Sequence, residues 1–136
     1  MPNFEIRNIN AVKGKQKFYK LIKDGTCLID EFENNLEEDY RPELRTIYAY
    51  MDQVANLKSL PKTKFHFYNK DKGGFREFEF KSKHLRVYGI VINEGKLIIL
   101  GGTKSNQKND TTIFRRIKKR IYRIYKRIIK WTEKNY

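Results

Sequence analysis

The sequence is poor in the residues that build metal and redox sites. It has one cysteine, Cys27, so no disulfide can form within the chain and no thiolate cluster can hold zinc or iron. There are only two histidines, His66 and His84, on different predicted elements, so no metal set emerges. No glycine-rich phosphate loop and no Gly-x-Ser-x-Gly turn is present. Cofactors are therefore expected to be none. No apolar run approaches the roughly 20 residues of a membrane span, and MPNFEIRN lacks the apolar stretch of a secretory signal. A cytoplasmic protein with no membrane partner is expected.

Cations and large side chains are plentiful. Of 136 residues, 30 are Lys or Arg against 16 Asp or Glu, a net charge of +14, and 14% are aromatic. The charge is segregated. Residues 30–43 carry seven acids and one base, whereas residues 103–136 carry twelve bases and two acids. Such asymmetry points the C-terminal part at an anion, with nucleic acid ahead of a membrane surface.

The chain length suits one domain, 1–136, with a modest core. Residues 1–17 carry little pattern and read as a flexible arm or an edge strand. Phe18–Ile22 reads as a strand closed by the turn signal Lys23-Asp24-Gly25. Leu28, Phe32 and Leu36 recur at helical spacing. A longer helix from about Asp39 to Leu57 has Pro42 in its first turn and an apolar stripe of Leu44, Ile47, Tyr48, Met51, Val54 and Ala55. These two are expected to form an antiparallel hairpin on one sheet face. Residues 64–74 read as a basic, aromatic loop.

The stretch Phe75–Lys104 then reads as a three-stranded meander. Phe78 and Phe80 alternate with Glu77, Glu79 and Lys81, so they face opposite sides. Ser82-Lys83-His84 makes a turn, and Leu85–Ile92 is a β-branched and aromatic central strand. Lys96–Leu100 follows, ended by Gly101-Gly102. Together with Phe18–Ile22 this predicts an α+β fold with a small mixed sheet of about four strands. The last helix, expected over 111–134, aligns Ile113, Ile117, Ile121, Ile124, Ile128 and Trp131 on one face. Its other face gathers Arg115, Arg116, Lys118, Lys119, Arg120, Arg123, Lys126, Arg127 and Lys130. That face is open to three readings: a solvated outer face, a phosphate-contacting helix, or a membrane-surface helix.

Cations collect at the strand ends. Lys81, Lys83 and His84 flank the first turn of the meander, Arg86 and Tyr88 share one strand face, and Lys104 and Lys108 follow the third strand. Such a set suits RNA cleavage without metal, in which the 2′-OH attacks the adjoining phosphorus. That reaction needs a base, cations on the phosphate, and an acid for the leaving 5′-oxygen. A lysine ringed by cations, or His84, can serve as base. Each residue also has a plainer use: Arg86 can pair with Glu77 or Glu79, His84 can simply be exposed, and Tyr88 can be core packing.

The segments FREFEFKSKHLRVYGI and IILGGTKSNQKND, in the order strand–helix–helix–meander–basic loop–helix, resemble the RelE/HigB superfamily of toxins, nearest its phage-type HigB-like branch. Phe78-Glu79-Phe80-Lys81, then Leu85-Arg86-Val87, then Gly102, Lys104, Gln107 and Lys108 carry the resemblance, which spans about Phe18 to Tyr125. It implies a toxin of a type II toxin–antitoxin system, an endoribonuclease that cuts mRNA on the ribosome and is silenced by a cognate antitoxin. Carried over, Lys81 and Arg86 stabilise the scissile phosphate and Lys104 is the basic residue after the third strand, with His84 the fourth candidate catalytic residue. Lys83, Tyr88, Lys108, Arg115, Arg116, Lys119 and Arg123 are the candidate RNA contacts. One departure stands out. Several relatives place a catalytic Tyr or His soon after the third strand, where this chain has Asn109, Asp110 and Thr111. His84, Tyr88 or Tyr122 would have to substitute. The alternative is a non-catalytic basic module that binds RNA or DNA.

Overall fold

The computed structural model describes residues 3–68 and 74–135, with side chains through Tyr125. Six strands and three helices follow one another in the order β1 (Phe4–Asn8), β2 (Phe18–Lys23), α1 (Leu28–Asn34), α2 (Arg41–Ala55), β3 (Phe65–Phe67), β4 (Glu77–Lys81), β5 (Leu85–Ile92), β6 (Gly95–Thr103) and α3 (Gln107–Asn135). Short 3-10 turns lead into α2 (Glu38–Tyr40) and α3 (Lys104–Asn106).

The strands form one mixed sheet in the order β1-β2-β6-β5-β4-β3. Only the β2–β6 pair is parallel. A parallel pair requires a crossover, and α1 and α2 lie in that crossover. They cover one face of the sheet, α1 over β6 and β2, α2 over β4 and β5. The long helix α3 covers the opposite face, against β6 and β5.

The β-branched and aromatic strands therefore bury both sides. Phe18, Phe78, Phe80, Leu85, Val87 and Ile98 meet Ile29, Leu44, Ile47 and Met51 of the first two helices. On the other side Tyr88, Ile90, Leu97, Ile99 and Leu100 meet Phe114 and Ile117 of α3. Each such side chain contributes about 1.5–3 kcal/mol by leaving water. Gly89 is bare for a reason: a Cβ there would lie 2.4 Å from the Phe78 ring and 2.5 Å from the Leu97 carbonyl oxygen. Tyr88 pairs with Leu100 and Gly89 with Ile98, which leaves Ile99 as the extra residue of a bulge. Ile99 and Leu100 consequently both face α3.

The sheet has six strands rather than four. Phe4–Asn8 is an edge strand, not a free arm, because its backbone pairs with β2 from Phe4↔Lys23 to Asn8↔Tyr19. Phe65–Phe67, read as loop, pairs with β4. Within that expected loop, residues 69–73 lie outside the described residues. The helices α1 and α2 sit over different strands instead of packing as a hairpin. Helix α3 starts at Gln107 rather than at residue 111, so Asp110 is buried inside its first turn. The side chains of Lys126, Arg127, Ile128, Lys130 and Trp131 lie outside the described residues. Among the described residues no helix is long and apolar enough to cross a membrane.

Candidate functional site

The turn joining β4 to β5 brings the sequence-predicted cations to one end of the sheet. Lys81 and Arg86 are register partners on the last rung before the turn. The alternation that buries Phe78 and Phe80 on the α2 side places Glu77, Glu79 and Lys81 on the α3 side. Thr103, at the end of β6, pairs with Leu85, and the Lys104 amide donates to the His84 carbonyl at 2.8 Å. Lys83, His84 and Lys104 therefore adjoin, and exposed Lys108 follows one turn along.

His84 is held, not merely exposed. Its Nδ1 lies 2.6 Å from Glu43 Oε2 on α2. Glu43 Oε1 accepts hydrogen bonds from the His84 amide at 2.8 Å and from the Ser82 hydroxyl at 2.6 Å. Burial pushes the Glu43 carboxyl up, but the bonds from Ser82 and His84 outweigh it and hold it below the ordinary range. The Tyr40 ring packs on the imidazole, with centroids 5.0 Å apart. A carboxylate on one ring nitrogen fixes tautomer and orientation and leaves Nε2 for a substrate.

On the other side of the turn the cations are more committed. Lys81 Nζ lies 3.4 Å from Glu79 Oε1. The buried Glu79 also accepts from the Tyr68 hydroxyl at 2.7 Å and from the Gln107 amide at 3.4 Å. The ion-pair partner of Lys81 is thus a carboxylate, so Lys81 is not the cation-ringed lysine expected as a base. Arg86, only 9% exposed, pairs with neither Glu77 nor Glu79. Its NH1 donates to the carbonyls of Ser82 at 2.7 Å and Leu85 at 2.8 Å, which braces the turn.

Glu77 is taken by α3. Lys118, 4% exposed, donates to Glu77 Oε2 at 2.5 Å, and Arg115 reaches Oε1 at 3.2 Å. Lys118 is therefore an inward cation, not part of the outer face. Lys108, Thr111, Thr112, Arg115, Arg116 and Lys119 line a recess of about 580 Å³ along α3. Arg123 is exposed one turn beyond. Tyr88, expected as an RNA contact, is a core residue here. It is 1% exposed, stacked 5.7 Å from Phe114, with its hydroxyl pushed up to about 12 by burial and by the carboxylates of Glu79 and Asp110. Tyr122 stands edge-on to Phe75, at the opposite end of β4 from the turn.

Sequence reading missed Glu43, Tyr40, Tyr68 and Gln107 as parts of this site. Glu43 lies 41 residues from His84 and within an acid-rich run, so no local signal marks it. No family model, curated protein or solved structure matches the chain.

Proposed function

We propose that this chain is a metal-independent ribonuclease whose site is the end of the sheet around the β4–β5 turn. The observation that carries this reading is that the backbone gathers Lys81 and Lys104 at the same sheet end as a histidine oriented by a carboxylate. His84 Nε2 takes the proton from the 2′-OH as the 2′-oxygen attacks phosphorus. The bond to the 5′-oxygen breaks, that oxygen takes a proton from solvent water, and His84 later returns its proton to solvent. A 2′,3′-cyclic phosphate and a 5′-hydroxyl end result. Lys81 and Lys104 hold the non-bridging phosphate oxygens as charge builds on them. Arg86 is a positioning residue that acts through the turn. Glu43 keeps the imidazole in the productive tautomer. The resemblance to the RelE/HigB superfamily supports the narrower reading: a toxin acting in the cytoplasm on mRNA at the ribosome, with a cognate antitoxin as partner.

A second reading is favoured by the cation-lined recess on α3: a basic module that binds nucleic acid without cutting it. Inducible expression in a bacterial host separates the two. Growth arrest with new transcript 5′ ends inside coding regions is expected, relieved by Lys81→Ala, His84→Gln and Lys104→Ala with the fold intact by circular dichroism. Normal growth with intact transcripts, together with steeply salt-dependent RNA binding, is the outcome of the second reading.

A further inference from the structure

A second recess, of opposite character, lies beside the site. It holds about 390 Å³ between α1, the end of β6 and the start of α3. Its floor and walls are apolar: Phe32 and Leu36 from one side, Leu100 beneath, and Ile113 from α3. Ile113, at 36% exposure, is one of the few large apolar side chains left in water. Although the chain carries 30 Lys and Arg, none among the described residues lines this recess, whereas Glu31, Glu37 and Asp110 do.

These acids are not spent within the fold. In the acid-rich run, Asp30 pairs with Lys20, Glu38 with Arg41 and Glu43 with His84. Among the described residues Glu31 and Glu37 enter no ion pair. Asp110 makes the second, independent observation. It is 7% exposed and packs over the bare backbone of Gly102. Its Oδ1 accepts from Asn106 at 3.0 Å, while Oδ2 has no hydrogen-bond partner. That oxygen is an acceptor without a donor at the edge of the recess.

We propose that this recess docks an amphipathic segment of a partner protein, with apolar side chains on the floor and a Lys or Arg between them facing Glu31, Glu37 and Asp110. The acids repel a polyanion, so RNA is not the occupant. The α3 face of a second copy does not match it either: there Lys108, Arg115, Arg116 and Lys119 have only threonines between them, with no apolar residue to fill the floor. An apolar groove with a charged rim is the usual receptor for an amphipathic helix.

The probe is a phage-displayed library of random linear peptides, selected on the full chain and counter-selected on Ile113→Asp. Recovered peptides are expected to carry Lys or Arg flanked by Leu, Ile or Phe. Measured by fluorescence polarisation, a recovered peptide is expected to lose at least about tenfold in affinity on Ile113→Asp, on Glu31→Lys/Glu37→Lys, and on Asp110→Asn. A tenfold loss corresponds to about 1.4 kcal/mol. None of these positions belongs to the proposed RNA site, so cleavage is expected to persist in all three variants. No enrichment over Ile113→Asp, peptides without a basic residue, or affinity indifferent to the acids would each overturn the proposal. So would concentration-dependent self-association that Ile113→Asp abolishes, since the occupant would then be a second copy.

Discussion

The two faces of the sheet are built on different terms. Under α1 and α2 the buried contact is apolar, with Phe18, Phe78, Phe80 and Ile98 against Ile47 and Met51, and the ion pairs Lys20–Asp30 and His84–Glu43 lie at its margins. Under α3 the same strands present Glu77, Glu79, Arg86 and Tyr88, met by Gln107, Asp110, Arg115 and Lys118. The first face is held by area removed from water, which is non-directional and tolerant of shape. The second depends on each charge finding its partner, because an unpaired buried ion is worth several kcal/mol of instability. It is on this second face that charges reach the sheet end, as Lys81 does from β4. A structure that only needed stability could have used leucine at these positions.

The comparison breaks most visibly at its extremes. Phe80→Ala is expected to cost about 3–5 kcal/mol by opening a cavity. Glu77→Leu is expected to cost about as much, for a different reason: the buried Lys118 loses the carboxylate it donates to. Urea denaturation separates the causes. Adding Lys118→Met to Glu77→Leu is expected to restore most of the loss, whereas no second-site change on α3 restores Phe80→Ala. If the double variant were as unstable as the single one, the α3 face would not be an electrostatic pairing.

A smaller effect sharpens the account of the His84 clasp. The Glu43 carboxyl lies below its ordinary value, so its contribution is fully present above the unfolded range of about 4.3 and is lost as pH falls through its folded value. Glu43→Gln is expected to cost about 1–2 kcal/mol at neutral pH. The gap to wild type should close in urea titrations run progressively below pH ~4. The smallest effect has the opposite sign. Burial raises Asp110, so its charged form is disfavoured in the fold and stability falls as pH rises through its folded value. Asp110→Asn is expected to be neutral or stabilising by less than about 1 kcal/mol at neutral pH, measured by thermal denaturation.

The legibility of the chain follows the same division. Alternation from Phe75 to Lys81 located β4 to within two residues and gave both its faces, because period two needs no tertiary information. Leu85–Ile92 was read at its observed bounds, since β-branched residues run its whole length. The apolar stripe of α2 placed that helix to within two residues. By contrast FEIRN became a strand only because β2 supplies a backbone partner, and its own side chains are mostly exposed. The short FHF of β3 is set by pairing with β4. At the site, the basic residues Lys81, Lys104 and His84 stood out by type and position. Their partners did not: Glu43 and Glu79 are acids among many acids. Arg115 and Lys118 look like every other cation on α3 until the fold brings Glu77 against them, across 41 residues for Lys118.

The central claim is that the sheet end cuts RNA rather than only binding it. The most direct test is to incubate purified protein, in chelator, with an RNA whose principal cleavage position is known and with the same RNA carrying a single 2′-deoxy sugar there, free and in a translating ribosome. The account predicts cleavage of the all-ribose RNA to a 2′,3′-cyclic phosphate end, none at the deoxy position, and loss of cleavage in His84→Gln and Lys104→Ala with RNA binding retained. Salt-dependent binding of both RNAs with neither cut under any of these conditions would contradict it.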